Sequence, residues 1–401
     1  MFLGMHLRKI IICQMLAIAL LAVCAVYFSA GTGGSAGGRW RKSGKKSTNS
    51  KIIVLSETNS TRKIQHYVSG VAGSKSVVVH VPLKPKRVIA FSCADYMYFL
   101  GLSPVAEAGS WDFYPKRNYI KPYNDANSTG HVGGVYGSRM PDAESTMTFN
   151  PDLVIMQGWS AYSYPVINKV APTVLLPSYK NRKIELHLID IGKILGCQDK
   201  AIRASVWFAK KNYLVKKALD KYYPKGAKVS VLWFTSKRIR VCNKHYIFQR
   251  LGLKPVTQIP WVGVHPVGSG IYYMDVEQLA GLDAEHIFAV SLVSRKQFSA
   301  GIVENLPIWK TIPAVKNNKV TKVNVGHWIS GGPLGRSIML NELINAMLTP
   351  KQISPELKSM IKDRPSKEDL LKLTQDEIQF YLDMISADCQ SKETKKVCSE
   401  K

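Results

Sequence analysis

Pro85-Lys86-Arg87-Val88-Ile89-Ala90-Phe91 is the stretch from which the fold is read: a basic turn runs directly into an apolar strand. The strand stops at Ser92-Cys93-Ala94-Asp95. A helix-like stretch follows over Tyr96-Met97-Tyr98-Phe99-Leu100, closed by Gly101-Leu102, and Ser103-Pro104-Val105-Ala106-Glu107-Ala108 supplies a second short strand. Strand, short helix and strand, with glycine at the helix stop, predict a βαβ unit. Parallel strands carry their loops at the carboxyl edge of the sheet, where ligands bind. The alternation returns after residue 225. Two α/β lobes are therefore expected, with their loop sets facing across a cleft.

Outward from this unit, residues 51–75 read as an irregular arm with one short strand, Lys51 to Leu55, and Ser76 to Val81 as a strand before the Pro85 turn. Pro151-Asp152-Leu153-Val154-Ile155-Met156 has the unbroken apolar run of a buried parallel strand. Tyr164 to Val170 predicts a short helix and Ala171 to Pro177 another strand. From Arg182 to Tyr223 the pattern is helical, broken once at Gly196-Cys197, with Leu214, Ala218 and Tyr222 at helical spacing. Such a helix is a stiff connection between lobes. The second lobe opens with the strand Ala227 to Phe234. A short helix starts at Val276, His286 to Val290 and Val323 to Val325 read as strands, and Leu334 to Leu348 as a closing helix. The predicted organisation is a signal peptide or membrane anchor over 1–30, a basic tether and arm over 31–67, an N-terminal lobe over 68–182, a connecting helix over 183–224, a C-terminal lobe over 225–349 and a helical tail over 350–401.

A length of 401 residues fits two to three domains. Lys and Arg number 55 against 28 Asp and Glu. Residues 1–50 hold seven basic residues and no acid, while 351–401 hold ten of each, so the middle carries most of the excess. Such a field attracts anions. No basic-aromatic nucleic-acid module is present, so no nucleic-acid partner is expected. Arg8 and Lys9 precede an apolar run from Ile10 to Phe28 interrupted by Gln14, the pattern of an export signal or an uncleaved anchor. Leu21-Ala22-Val23-Cys24 resembles a bacterial lipobox, with Val23 where a small residue is usual. Acylation of Cys24 and a plain anchor are both open readings. The Gly, Ser, Lys and Arg of 31–50 suit a flexible tether at an anionic membrane face. None of the seven cysteines forms a Cys-x-x-Cys pair. Cys93, Cys197 and Cys242 read as inert core thiols, and Cys389 with Cys398 are close enough in sequence for a disulfide in an exported tail.

The ordered motifs resemble a known family. They are Pro85-Lys86-Arg87-Val88, Leu100-Gly101-Leu102-Ser103-Pro104-Val105, Val132-Gly133-Gly134-Val135-Tyr136-Gly137, Asn150-Pro151-Asp152-Leu153-Val154-Ile155 and Ala171-Pro172-Thr173-Val174. In the second half come Leu251-Gly252-Leu253-Lys254-Pro255, Trp309-Lys310-Thr311-Ile312-Pro313-Ala314-Val315 and Trp328-Ile329-Ser330-Gly331-Gly332-Pro333. Over roughly residues 68–349 the chain resembles the ferric-siderophore substrate-binding proteins of bacterial ABC importers. The resemblance implies two Rossmann-like α/β lobes joined by one long rigid helix, a ligand cleft between them, attachment to the outer face of the cell membrane and docking on an ABC permease. It assigns nothing to the tail.

In such a protein the chelator saturates the iron, so no protein metal ligand, catalytic residue or cofactor is expected. Arg or Lys would neutralise the chelate and aromatics would pack its flanks. The candidate ligand residues follow strand ends: Trp111, Tyr136, Arg139 and Trp159 in the first lobe, and Arg238, Arg240, Trp261, Arg295, His327 and Trp328 in the second. Arg238 and Arg240 alternate along a strand-like stretch, so one of the two is expected to face the cleft. Trp233 and Trp309 lie inside regular elements and read as core. The resemblance also places Glu144 and Glu277, each at a predicted helix start, where family members meet permease arginines. An acid at a helix start equally favours the macrodipole. Rival readings within the fold are a haem, cobalamin or metal-ion binding protein. A wall-interacting structural protein would use the basic surface alone. An enzyme is disfavoured, since no nucleophile elbow, Walker loop or zincin pair follows a strand. Basic candidates suit catecholate charge and the tryptophans suit hydroxamates, leaving the chelator class open.

Overall fold

A computed structural model describes residues 52–70, 73–108, 130–131, 141–177, 183–234, 239–243, 245–256, 263–264, 271–291, 303–329 and 331–397. Three strands come first: β1 (Ile53–Glu57), β2 (Thr61–Gly70) and β3 (Gly73–Pro82). The first lobe follows with β4 (Val88–Phe91), α1 (Ala94–Phe99), β5 (Ala106–Ala108), β6 (Gly130–His131), α2 (Ala143–Thr148), β7 (Leu153–Gln157), α3 (Tyr164–Ile167) and β8 (Thr173–Leu176). Helices α4 (Ile184–Leu195) and α5 (Gln198–Tyr222) lead to the second lobe. It contains β9 (Lys228–Phe234), β10 (Ile239–Cys242), α6 (Tyr246–Arg250), β11 (Lys254–Pro255), β12 (Gly263–Val264), β13 (Ile271–Met274), β14 (His286–Ser291), α7 (Pro313–Lys316), β15 (Val320–Asn324), α8 (Val325–Ile329) and α9 (Pro333–Met347). The chain ends in α10 (Pro355–Ser359), α11 (Lys367–Leu371) and α12 (Gln375–Val397).

The Pro85 run forms the expected inner strand. All four residues of β4 are buried, and β4 lies parallel between β5 and β7 in a sheet ordered β6-β5-β4-β7-β8. Its entry is fastened by Asp152, whose carboxylate accepts the Lys86 N–H at 2.7 Å and the Arg87 N–H at 2.9 Å. The Arg87 guanidinium donates in turn to the Phe149 and Asn150 carbonyls. The basic turn thus locks the starts of β4 and β7 together.

The second sheet is ordered β12-β13-β10-β9-β14-β15, with β11 beside β9. Only β9, β14, β15 and β11 run parallel; β10, β13 and β12 extend the sheet antiparallel. The reason lies in the link lengths. Residues 235–238 are too few for a crossover, so β10 must fold back on β9 as a hairpin. This lobe is α/β with a mixed sheet rather than wholly parallel.

Strands β1, β2 and β3 form an antiparallel meander where an irregular arm was expected. β2 pairs with β3 along its whole length, from Thr61 opposite Pro82 to Gly70 opposite Gly73, so the boundary expected at 67/68 falls inside β2. The alternation was hidden because two inward positions are polar: Arg62 and His66 are buried beside Ile64. The Arg62 side chain is satisfied by Glu57 and by the Ile194 carbonyl of α4.

The break expected at Gly196 is the end of α4. Gly196 takes φ 73°, and a Cβ there would lie 2.6 Å from the Leu83 carbonyl oxygen, so the left-handed cap requires glycine. α5 buries Ala201, Ala204, Trp207, Phe208, Val215 and Leu219 in one continuous core that includes Ala90 and Ile155 of the first sheet and Val231, Phe288 and Val290 of the second. Both lobes therefore share apolar packing with the connecting helix. Cys93, Cys197 and Cys242 are free thiols, and burial pushes the Cys93 thiol far up from its ordinary pKa. No helix among the described residues is long and apolar enough to cross a membrane. The apolar run with Cys24, and Cys398 of the proposed disulfide, lie outside the described residues.

Candidate functional site

The carboxyl edges of the two sheets carry different chemistry. In the second lobe the antiparallel register sets Trp233 of β9 opposite Arg240 of β10, Arg240 opposite Tyr273 of β13, and Tyr273 opposite Gly263 of β12. Residues opposite one another share a face. Trp233 belongs to the core cluster on the α5 and α9 side, whereas its neighbours Leu232 and Phe234 point to the other face. Trp233, Arg240 and Tyr273 are thus a row across the inner face of the sheet, one residue before β9 ends. The Arg240 guanidinium carbon lies 5.6 Å from the centre of the Tyr273 ring. Arg240 is half-buried, and its Nε is buried with no hydrogen-bond partner. The Trp233 Nε1 donor is in the same condition. A buried donor without an acceptor costs about 1–3 kcal/mol. Two adjacent ones flanked by rings form an arrangement completed by an anionic or strongly accepting ligand with a flat flank.

In the first lobe, Phe91 pairs with Met156, so Ser92, the residue after β4, and Gln157, the last residue of β7, come next. The Ser92 hydroxyl and both atoms of the Gln157 amide are buried and unbonded. Ser92 also holds φ 58°, a left-handed conformation that costs a non-glycine residue about 1 kcal/mol or more. Strain and unmet hydrogen bonds therefore gather where β4 and β7 end.

The lobes meet through α1 and α9. The Asp95 carboxylate accepts the Leu334 N–H at 2.8 Å and the Gly335 N–H at 3.0 Å, and the Tyr96 hydroxyl donates to the Gly331 carbonyl at 3.3 Å. A carboxylate at a helix N-terminus satisfies orphan donors and the macrodipole together.

The structure separates the residues expected from the sequence. Arg240 sits in the row just described, joined by Trp233, which is core as the sequence indicated, and by Tyr273, which the sequence reading passed over. Trp328 is a correction. α8 begins at the residue directly after β15, so position 328 turns inward and is fully buried instead of facing a cleft. Its ring stacks on Phe288 at 4.4 Å and on His245 at 5.2 Å, and its Nε1 donates to Glu342 at 2.6 Å. His327 is half-buried, with Nδ1 2.7 Å from the other Glu342 oxygen. Trp309 is core, edge-on to Phe234. Trp159 lies in the 3-10 turn Gly158–Ser163 directly after β7. Trp111, Tyr136, Arg139, Arg238, Trp261 and Arg295 lie outside the described residues. Glu144 and Glu277 are both exposed in the first turns of their elements, α2 and the 3-10 helix Val276–Gly281, capped by Asp142 and Asp275. Among the described residues no group of three His, Cys, Asp or Glu is placed to hold a metal ion.

Comparison with known proteins agrees with this architecture. The sequence profile of the periplasmic binding protein family matches residues 109–324. The iron(3+)-hydroxamate-binding protein FhuD of Bacillus subtilis is 28% identical over 256 residues, covering 61% of this chain and 76% of its own length. The petrobactin-binding protein YclQ of the same organism is 26% identical over 270 residues, 63% of this chain and 80% of that one. The crystal structure of YclQ superposes with TM-score 0.56 at 19% identity, covering 71% of this chain and 99% of that chain. Staphylococcus aureus SirA complexed with staphyloferrin B gives TM-score 0.53 at 23% identity, covering 70% and 98%. Solved relatives are matched almost completely, while roughly three tenths of this chain lies outside the shared part.

Proposed function

The chain belongs to the periplasmic binding protein family, and from that premise we propose that it captures a ferric siderophore outside the cytoplasm and delivers it to the permease of an ABC importer. The observation that carries the reading is the Trp233–Arg240–Tyr273 row at the edge of the second sheet. A saturated ferric chelate offers oxygen-rich, frequently anionic faces between flat organic arms. Arg240 supplies charge and donors, Trp233 a further donor, and the rings supply flanking surface. Seated away from bulk water, such charge-assisted bonds are worth about 1.5–3 kcal/mol each. The chelator fills the iron's coordination shell, so the protein binds the chelate and leaves the metal untouched. Trp111, Tyr136, Arg139, Trp159, Arg238, Trp261 and Arg295, from the strand-end segments, complete the proposed contact set. His327 and Trp328 leave it, because Glu342 engages both.

Glu144 and Glu277 are the proposed permease contacts, one exposed acid per lobe. Attachment to the outer face of the membrane would come through acylated Cys24 or the N-terminal apolar run. The test is a tryptophan fluorescence titration of the mature chain with ferric trihydroxamate, ferric tricatecholate, the iron-free chelators, haem, Zn(II) and Mn(II). Saturable quenching by a ferric siderophore, weaker with its iron-free form, is expected. Binding of haem or a free metal ion with no response to any ferric chelate would overturn the reading.

A further inference from the structure

Residues 350–385 belong to neither sheet, yet they are built into the core. Leu357, Met360, Leu370, Leu373, Ile378, Tyr381 and Ile385 are all buried. Polar ties bind the same segment to α5: Lys210 Nζ lies 2.8 Å from Glu356 and 2.7 Å from Glu377, and Arg203 donates to the Leu370 and Leu373 carbonyls.

Three further side chains, Arg364, Asp95 and Lys211, join these contacts into a closed ring through both lobes. Arg364 Nη1 donates to the Tyr98 carbonyl at 2.8 Å, at the end of α1 in the first lobe. The opposite end of α1 holds α9 through Asp95. That approach is close: a Cβ on Gly332 would lie 2.1 Å from the Asp95 carboxylate. α9 is then pinned to α5 by Lys211, which is fully buried. Lys211 Nζ reaches the Ser337 carbonyl at 3.0 Å, the Ser337 hydroxyl at 2.8 Å, the Asn341 side chain at 2.7 Å and the Lys362 carbonyl of the tail at 2.7 Å. Burial pulls the Lys211 ammonium well below its ordinary pKa, and nearby Asp363 opposes that. Four oxygens around one nitrogen are the cage an ammonium needs when removed from water. The ring runs from the first lobe to the second, to the connecting helix, to the tail, and back to the first lobe.

We propose that residues 350–385 are a brace that, with Asp95 and Lys211 as positioning residues, sets the angle between the lobes before ligand arrives. A binding-competent arrangement held in advance removes the affinity loss that accompanies a rarely populated one. The affinity part of this idea rests on the proposed ligand; the geometric part does not.

The experiment uses the full mature chain, its Arg364→Met and Asp95→Asn variants, and Lys211→Met where it folds. Small-angle X-ray scattering of the ligand-free proteins reports a change of lobe angle through the radius of gyration. Stopped-flow tryptophan quenching with a ferric trihydroxamate reads association and dissociation. Expected are native circular dichroism, a larger and more variable ligand-free radius of gyration, and an association rate lowered about tenfold with dissociation changed less than twofold. A residue that merely stabilises the fold would lower the melting temperature and leave scattering and association rate alone. That result for both Arg364→Met and Asp95→Asn would overturn the brace. A wild-type chain that binds no ferric siderophore would overturn the functional reading instead, with the scattering comparison still deciding the brace.

Discussion

Lowering the pH from 6.5 to 4 should strip this protein of several kcal/mol of stability through histidines that are folded away neutral. Burial holds the His66 pKa down to about 4 and the His245 pKa down to about 3, both from 6.5. His66 lies under the meander, its ring edge-on to Tyr164 at 5.4 Å. His245 stacks on Trp328, with Nε2 2.8 Å from the Trp328 carbonyl and the Arg336 guanidinium alongside. The short carbonyl contact makes Nε2 the donor, so protonation would fall on Nδ1 and add a second charge beside Arg336.

The sign follows from which state takes up protons. Above pH 6.5 both states hold neutral imidazole and nothing is lost. As pH falls below 6.5 the unfolded chain binds protons that the folded chain refuses, so the unfolded state gains. Each such histidine contributes a slope of about 1.4 kcal/mol per pH unit, and by pH 4 about 3 kcal/mol. Two give about 6 kcal/mol, comparable with the total stability of many domains. His286, also lowered to about 4, is more open to solvent and adds a smaller amount. The depressed carboxylates Asp142, Asp369 and Glu377 lose their contribution only as pH falls through and below their ordinary values of 3.8 and 4.5. The window from pH 6.5 to 5 therefore isolates the histidines. Urea unfolding curves at half-unit steps should show stability falling by about 2–3 kcal/mol per unit there, and His66→Gln should remove about half of that slope whatever it does to stability at pH 7.5. A wild-type stability flat from pH 7 to 5 would refute the reasoning.

Arg240→Ala should weaken ferric siderophore binding tenfold to a hundredfold, from about 1.5–3 kcal/mol of a lost charge-assisted contact; Trp233→Phe, which keeps the ring and deletes the donor, should weaken it about tenfold in the same titration. Unchanged affinity in both would empty the row of its role. Replacing Glu144 and Glu277 together by Ala should leave siderophore affinity intact and stop iron uptake by cells, and normal uptake would remove them from the docking surface. Gly332→Ala should cost about 3 kcal/mol or more in thermal unfolding, because a Cβ in contact with the Asp95 carboxylate expels it from two backbone donors.

The inner strands were readable because burial on both faces fills their middles with apolar residues. Val88–Phe91, Leu153–Gln157 and His286–Ser291 announce themselves as apolar runs between turn signals. The meander was not, since Arg62 and His66 occupy inward positions and break the period-two pattern. Trp328 misled for a different reason. Its position after a strand and before Gly331-Gly332 looks like a loop, and nothing local shows that α8 starts at once and turns the ring into a stack with Phe288 and His245. The tail carries helices that dock on α5 through buried apolar residues and through Lys210 and Arg203, and Lys211, which ties α5 to α9 and to the Lys362 carbonyl, looks like any surface lysine until its cage of oxygens is seen.

The binding row shows what the missing information was. Trp233 and Arg240 are seven residues apart, and alternation along each strand says only which face each occupies. Their meeting depends on register, and only four positions of sequence separate β9 from its antiparallel partner β10. With Phe234 opposite Ile239, Trp233 must face Arg240, and the next strand must bring Tyr273 to the same guanidinium. A slip of one residue would send Arg240 to the Leu232 and Phe234 face, where a charge among buried apolar side chains costs far more than any turn can return. The short link and the apolar outer face thus admit one register, and that register assembles an aromatic-flanked cation at the edge of the sheet.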